Sequence, residues 1–224
     1  MTAAVSPASA FDAIVLAGGR ATRLGGADKA GLVVAGEPIL GSVVGTAVAA
    51  GAREVIVVGP DRPGFAVRGP QPPGGVRFVA EEPPAAGPVP AVRRGLGETR
   101  LPMVALLAAD LPFLRAGQLR LVLGSAGRGA GTAGAVLVDG SGRPQWLVSC
   151  WQAAGLRSAA AAYLGTSLHG LLGPLDPVLV SYDLGAGEAP PWFDCDTADD
   201  LWLARHWPAD RPAALDADVT REAR

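Results

Sequence analysis

The sequence predicts an α/β fold in which strands and helices alternate as βαβ units on a mostly parallel sheet. Short apolar runs recur at Phe11 to Leu16, Glu54 to Val58 and Met103 to Ala109, each stopping at glycine, proline or aspartate. Strands buried on both faces of a parallel sheet read this way. Segments with helix-compatible spacing, Pro38 to Ala50 and Gly87 to Gly97, alternate with these strands. At 224 residues and 49% hydrophobic, the chain is long enough for one such domain with a full core.

Taken in order, Phe11 to Leu16 is a buried strand that enters a loop at Ala17-Gly18-Gly19. Pro38 to Ala50 is a helix with Gly51 as its C-cap. Glu54 to Val58 is a second strand, closed by Gly59-Pro60 and followed by a loop rich in proline and glycine over residues 60–75. Val76 to Ala80 is a third strand, ending in the acidic turn Glu81-Glu82-Pro83-Pro84. Gly87 to Gly97 is a helix with Pro88 in its first turn. Met103 to Ala109 is a strand stopped by Asp110-Leu111-Pro112, and Ala116 to Leu123 a helix. Gly134 to Val138 and Gln145 to Trp151 are strands around the turn Asp139-Gly140-Ser141-Gly142. Helices over Ala153 to Leu164 and Ser167 to Leu172, a strand over Pro177 to Tyr182 and a helix over Asp196 to Arg205, with Thr197 near its start, complete the domain. Residues 11–207 form a single domain, with disordered segments expected at 1–10 and 208–224.

Composition excludes several functions. Lys+Arg 19 against Asp+Glu 21 gives a net charge of −2, without the basic excess of a nucleic-acid binder. Two cysteines, Cys150 and Cys195, cannot build a disulfide framework and point to a reducing compartment. The opening MTAAVSPASA has no charged segment leading an apolar one, and no apolar run reaches the roughly 18 residues of a membrane span. A cytoplasmic protein without membrane contact is therefore expected.

The chain has a single lysine, Lys29, and no asparagine, while arginine is plentiful. Lysine is a compact charge on a flexible stem, which a planar guanidinium does not replace. Lys29 closes the segment Leu16-Ala-Gly-Gly-Arg-Ala-Thr-Arg-Leu-Gly-Gly-Ala-Asp-Lys29. This is neither a Walker A loop nor a G-x-G-x-x-G fingerprint. Two readings stand: a glycine-rich surface loop, or a loop whose backbone N–H groups approach phosphate oxygens while Arg20, Arg23 and Lys29 supply charge. Right-handed connections put the strand C-terminal ends on one edge, so the Gly18 loop, the Glu81-Glu82 turn and Asp110 share it.

The pattern Leu-Ala-Gly-Gly-x-x-x-Arg-Leu-Gly-Gly-x-Asp-Lys resembles the signature of nucleotidyltransferases related to molybdenum cofactor guanylyltransferase. Further landmarks follow in the family's order. Glu81-Glu82 before Gly87-Pro88-Val89-Pro90-Ala91 resembles its acidic pair and Gly-Pro-Leu-Ala-Gly loop, and Ala109-Asp110-Leu111-Pro112-Phe113 its strand-terminal Cys-Asp-Met-Pro-Phe. Phe193-Asp-Cys-Asp-Thr-Ala-Asp-Asp-Leu201 resembles its closing Asn-x-Asn-Thr-Pro-Glu-Asp-Leu.

The resemblance covers about residues 12–204 and implies a Rossmann-like three-layer α/β/α fold of the nucleotide-diphospho-sugar transferase type. It implies a Mg²⁺-dependent enzyme that transfers GMP from GTP to the terminal phosphate of molybdopterin and releases pyrophosphate. Nucleotide binding would fall to Leu16, Ala17, Gly18, Gly19, Arg20, Lys29, Glu82, Gly87 and Pro88. Arg23, Lys29 and Asp110 would carry catalysis, and Asp110 and Asp196 the metal, with Asp194 completing that site or orienting the acceptor. Transient contact with molybdoenzymes or other cofactor-biosynthesis proteins is a further implication.

A phosphate monoester nucleophile has a second pKa of about 6 and needs no general base. His169 and His206 accordingly lie in helical stretches away from the motifs. For Asp110 the alternative reading is a helix N-cap, and for Asp196 and Thr197 a cap on the last helix. The chain departs from the family in having Asp194 and Asp196 for asparagine, Pro90-Ala91 in the second loop, and Arg143-Pro144-Gln145-Trp146 where the family often has His-Pro. Trp146 and Trp151 are expected as core aromatics, with stacking on a flat pterin as the alternative. The competing functions are a transferase using CTP or another phosphorylated acceptor, and a nucleotide-binding accessory protein without turnover.

Overall fold

The computed structural model describes residues 10–18, 29–67, 69–81, 83, 86–126 and 132–207. In chain order the elements are β1 (Phe11–Leu16), a 3-10 turn (Lys29–Gly31), β2 (Val33–Val34), β3 (Glu37–Pro38), α1 (Ile39–Ala50), β4 (Ala52–Val58), β5 (Val76–Val79), α2 (Pro88–Leu96) and β6 (Met103–Ala108). Then follow α3 (Ala116–Ala126), β7 (Gly134–Val138), β8 (Pro144–Gln152), α4 (Ala153–Ala162), α5 (Leu168–Leu172), a 3-10 turn (Gly173–Leu175), β9 (Val178–Val180) and α6 (Ala198–Arg205).

Seven strands form one sheet in the order β5-β4-β1-β6-β8-β7-β9. β1 pairs in parallel with β4 and β6, β4 with β5, and β7 with β9; β8 runs against both β6 and β7. This is the mostly parallel three-layer sheet expected from the sequence, with one antiparallel strand supplied by the hairpin at Asp139-Gly140-Ser141-Gly142. Alternation along each strand divides the core. Phe11, Ala13 and Val15 pack with Val55, Val57, Ala105 and Leu107 on the face covered by α1 and α3. Ile14 and Leu16 pack with Ile56, Val104 and Leu106 on the face covered by α2 and α4. Period-2 alternation between two apolar layers is why these strands read as continuous apolar runs.

Some boundaries differ from the sequence reading for local reasons. The hairpin β2–β3 has no counterpart in it: its strands are two residues each, too short for periodicity, and its turn is made by Ala35 and Gly36 at φ 51 and φ 79. The last helix starts at Ala198, because the Thr197 hydroxyl accepts from Asp200 N–H while the Asp200 carboxylate accepts from Thr197 N–H. This capping box makes Thr197, not Asp196, the cap. The strand expected over Pro177 to Tyr182 is confined to Val178–Val180. Most of both terminal segments expected to be disordered, 1–9 and 208–224, lies outside the described residues. Among the described residues no helix is long and apolar enough to cross a membrane.

One buried charge anchors the central strand. The Asp12 carboxylate, 1% exposed, accepts from Arg100 N–H at 2.8 Å and Leu101 N–H at 3.0 Å, tying the start of β1 to the turn before β6. Removing it orphans two backbone donors, each loss costing about 1–3 kcal/mol. Asp12→Ala should therefore lower the urea midpoint at unchanged m-value, by about 2–4 kcal/mol in unfolding free energy, and Asp12→Asn, which keeps an acceptor, by less.

Candidate active site

The chain leaves β1 toward β4 and β5, then returns to the other side of β1 to lay down β6. Where connections diverge in this way, the two loops leave a crevice at the strand C-terminal ends. The ladders stay closed up to that edge: Ala17 N–H donates to Val58 C=O at 2.8 Å and Ala109 N–H to Leu16 C=O at 3.1 Å. Over the edge opens a cavity of about 870 Å³, within the range of small-molecule sites.

Several elements surround the crevice. The exit from β1 brings Leu16 and Gly18, the turn after β5 brings Glu81, and the start of α2 brings Gly87, Pro88 and Ala91. The exit from β6 brings Ala108, Asp110 and Leu111. The far side is the β7–β8 hairpin, with Asp139 and residues 143–148, joined by Leu168 and by Trp192 and Asp194 of the segment before α6. Of the residues predicted from sequence, Leu16, Gly18, Gly87, Pro88 and Asp110 thus meet in one cavity, with Ala17 half-buried beside them. Lys29 opens the turn Lys29–Gly31. Gly19, Arg20, Arg23 and Glu82 lie outside the described residues.

The lack of a side chain matters at two of these positions. A Cβ at Gly18 would lie 1.6 Å from Glu81 Oε1 and displace this carboxylate, 9% exposed, from its place against the loop after β1. Gly87 has φ 104 at the N-terminus of α2, where no side chain caps the helix and Pro88 occupies the first turn. Pro88 and Pro90 carry no N–H and Ala91 N–H donates to Gly87 C=O, so it is the dipole of this helix end that favours anions.

Asp110 follows β6 by two residues, and α3 starts only at Ala116, so Asp110 does not cap that helix. The segment carrying Asp194 is pinned beside it. Cys195 N–H donates to Asp110 C=O at 3.2 Å, and Phe113, Phe193 and Trp207 form a three-ring cluster with centroids 5.2 to 5.7 Å apart. Trp207 Nε1–H also donates to Gly187 C=O at 3.3 Å. Asp194, rather than Asp196, lines the cavity; Asp196 stands at the entry to α6, with its N–H donating to Asp200. Asp194 is exposed to the cavity, yet the surrounding protein withdraws enough water to push its carboxyl up to about 6, helped by repulsion from Asp196, Asp110 and Asp200.

Among the described residues no three histidine, cysteine or acidic side chains gather closely enough to hold a metal alone. Mg²⁺ ordinarily takes one or two carboxylates and completes its shell with phosphate oxygens and water. The pair Asp110 and Asp194 fits that requirement. Both thiols stay protonated: burial pushes Cys150 up and Cys195 up to about 12, the latter further raised by Asp110. Neither serves as a nucleophile at neutral pH.

The sequence reading names Glu82, which lies outside the described residues, whereas Glu81 beside it lines the cavity, and the two tryptophans differ in how far they enter the core. Trp151 is a core residue, 0% exposed, donating from Nε1–H to Ser149 Oγ at 2.7 Å. Trp146 is half-buried and lines the cavity. His169 is also closer to the site than expected, its ring centroid 5.7 Å from that of Trp146. The signal is the hairpin turn preceding Trp146, which carries it to the ligand edge of the sheet.

The raised Asp194 carboxyl has a defined pH signature. An unfolded aspartate titrates near 3.9, so stability contributed by the protonated form is fully present below about pH 4 and is lost as pH rises through about 6. Melting temperature in EDTA should fall over this window and Asp194→Asn should abolish the fall. Divalent-cation affinity should rise over the same window, because the bound form is the carboxylate.

A family model described as the MobA-like NTP transferase domain matches residues 13–178. A curated protein of Natronomonas pharaonis, named Probable molybdenum cofactor guanylyltransferase, is 33% identical over 104 residues, 45% of this chain and 50% of that protein. The chain thus spans about half the length of this curated relative. A nucleotidyl transferase from Methanothermobacter thermautotroptrophicus superposes with a TM-score of 0.66 at 20% identity, over 88% of this chain and 96% of the other. The 2-C-methyl-D-erythritol 4-phosphate cytidylyltransferase of Thermus thermophilus does so with a TM-score of 0.62 at 22% identity, over 88% and 98%. At these identities the structures share the fold alone. The family match starts in β1 and ends where β9 begins, spanning both sides of the crevice and leaving only the segment of Asp194 beyond it. The chain belongs to the MobA-like NTP transferase domain family.

Proposed function

We propose that the protein is a Mg²⁺-dependent nucleotidyltransferase that moves GMP from GTP to the terminal phosphate of molybdopterin, releasing pyrophosphate. The observation that carries this reading is the cavity at the reversal of the sheet. It joins a glycine loop, the uncapped start of α2 and the carboxylates Asp110 and Asp194.

In this reading the phosphate oxygen of the acceptor attacks the α-phosphorus of GTP, the bond to the bridging oxygen of the β-phosphate breaks, and pyrophosphate leaves with that electron pair. The nucleophile is already ionised at neutral pH, and no histidine is among the described residues that line the cavity. The start of α2, Arg23 and Lys29 hold the triphosphate, and Lys29 offsets charge on the leaving group. Mg²⁺, held by Asp110 and Asp194, would supply charge neutralisation between the phosphates. Glu81 is suited to a base edge that offers two donors. An ionised carboxylate only accepts; guanine offers N1–H and the 2-amino group side by side, whereas cytosine offers one amino group. The Leu-Ala-Gly-Gly form of the first loop and the name of the Natronomonas relative support the same base. Two free, buried cysteines suit the cytoplasm.

Calorimetric titration with GTP, CTP and ATP, each with Mg²⁺, tests this reading. GTP should bind at least about tenfold more tightly than CTP, and Glu81→Gln should narrow the gap. A preference for CTP would reassign the base, and binding without transfer to molybdopterin would leave an accessory nucleotide binder. Lys29→Ala should lower kcat by about 10²–10³ at an unchanged melting temperature. Asp110→Asn should weaken Mg²⁺-dependent GTP binding while leaving metal-free binding in place.

A further inference from the structure

The β7–β8 ladder slips beside the cavity. Val136 is opposite Ser149, but the next residue, Leu137, is opposite Gln145. Trp146, Leu147 and Val148 therefore have no register partner on β7, and all three line the cavity. Bulges of this kind re-aim side chains next to active sites. This one is fastened from behind: Ser149 Oγ–H donates to Trp146 C=O at 2.6 Å, and Trp151 Nε1–H, in the core, donates to Ser149 Oγ at 2.7 Å. His169 packs on the Trp146 indole at 63° between ring planes, which restrains the ring from its other neighbour in α5.

We infer that Trp146 selects the acceptor, presenting a restrained indole on which a flat, nitrogen-rich heterocycle bearing the reacting phosphate stacks. This rests on the nucleotidyl-transfer reading and extends it to the acceptor half of the cavity. The lining chemistry favours such a ring over a sugar phosphate. Leu147 and Leu168, which pack on the same core layer as the indole, add apolar surface that leaves sugar hydroxyls without partners. The polar groups that this hairpin contributes are Asp139, the exposed Arg143 and Gln145, whose amide is held by Asp139 at 3.0 Å. An indole face gains from an offset aromatic partner, and stacking accounts for about 5- to 150-fold in affinity per ring.

The test uses the full chain saturated with Mg²⁺–GTP, with 6-hydroxymethylpterin as a fluorescent probe and ribose 5-phosphate as competitor. The wild type should bind the pterin without displacement by ribose 5-phosphate. Trp146→Ala should weaken pterin binding by about tenfold or more, Trp146→Phe should restore most of it, and Trp202→Ala, on the exposed surface of α6, should match the wild type. Titration with Mg²⁺–GTP confirms that each variant is folded. A wild type that binds Mg²⁺–GTP but not pterin, pterin affinity unchanged in Trp146→Ala, or displacement by ribose 5-phosphate overturns the inference. A folded wild type that binds no Mg²⁺–GTP overturns the nucleotidyl-transfer reading and this inference with it.

Discussion

The constraint on which the rest depends is the burial of β1 between two parallel neighbours and two apolar layers. Each of its residues from Phe11 to Leu16 is buried, so its backbone groups must be satisfied by β4 and β6. That pairing forces the chain to build outward on one side, return, and build outward on the other. The crevice at the C-terminal end of β1 follows from this topology before any side chain is considered. Asp12 holds the opposite end of the strand by accepting from two backbone donors, fixing the strand along its own axis.

Given that crevice, close approaches shape the site. The absence of a side chain at Gly18 admits the Glu81 carboxylate. On the other side, three aromatic rings draw the segment before α6 against the exit from β6, bringing Asp194 to the cavity that Asp110 lines. The electrostatic consequence is a carboxyl held up to about 6 by its surroundings and its acidic neighbours. Ionised side chains crowded in this way repel one another until a cation arrives. That repulsion is what a bound cation would relieve in the proposed reading.

Much of the cavity wall from β1, α2 and β6 is legible as sequence because its signals are local. A strand ending in small residues, proline in the first turn of a helix, and an aspartate directly after an apolar run each act within a few residues of chain. Leu16, Gly18, Gly87, Pro88 and Asp110 are recognisable for that reason. The place of Glu81 is not local: alternation beyond a strand end is not maintained, and the packing of Glu81 on Gly18 joins segments more than sixty residues apart. Trp146 escapes a local reading for a similar reason. In a regular strand its neighbours would set its face, but a three-residue slip of register moves it from the ladder to the cavity.

The sequence by itself determined the alternation of strands and helices, the sheet edge on which the glycine loop and Asp110 stand, and the position of the single lysine at the end of the glycine-rich segment. These depend on hydrophobic period, turn residues and charge type, all short-range properties of the chain. Only the tertiary structure decided that Asp194 rather than Asp196 lines the cavity, that Glu81 lies against Gly18, and that one tryptophan of β8 is core while the other is wall. Each of those outcomes is set by which distant side chain comes within contact distance, through ring packing, a missing Cβ or a shifted ladder, and no local pattern encodes it.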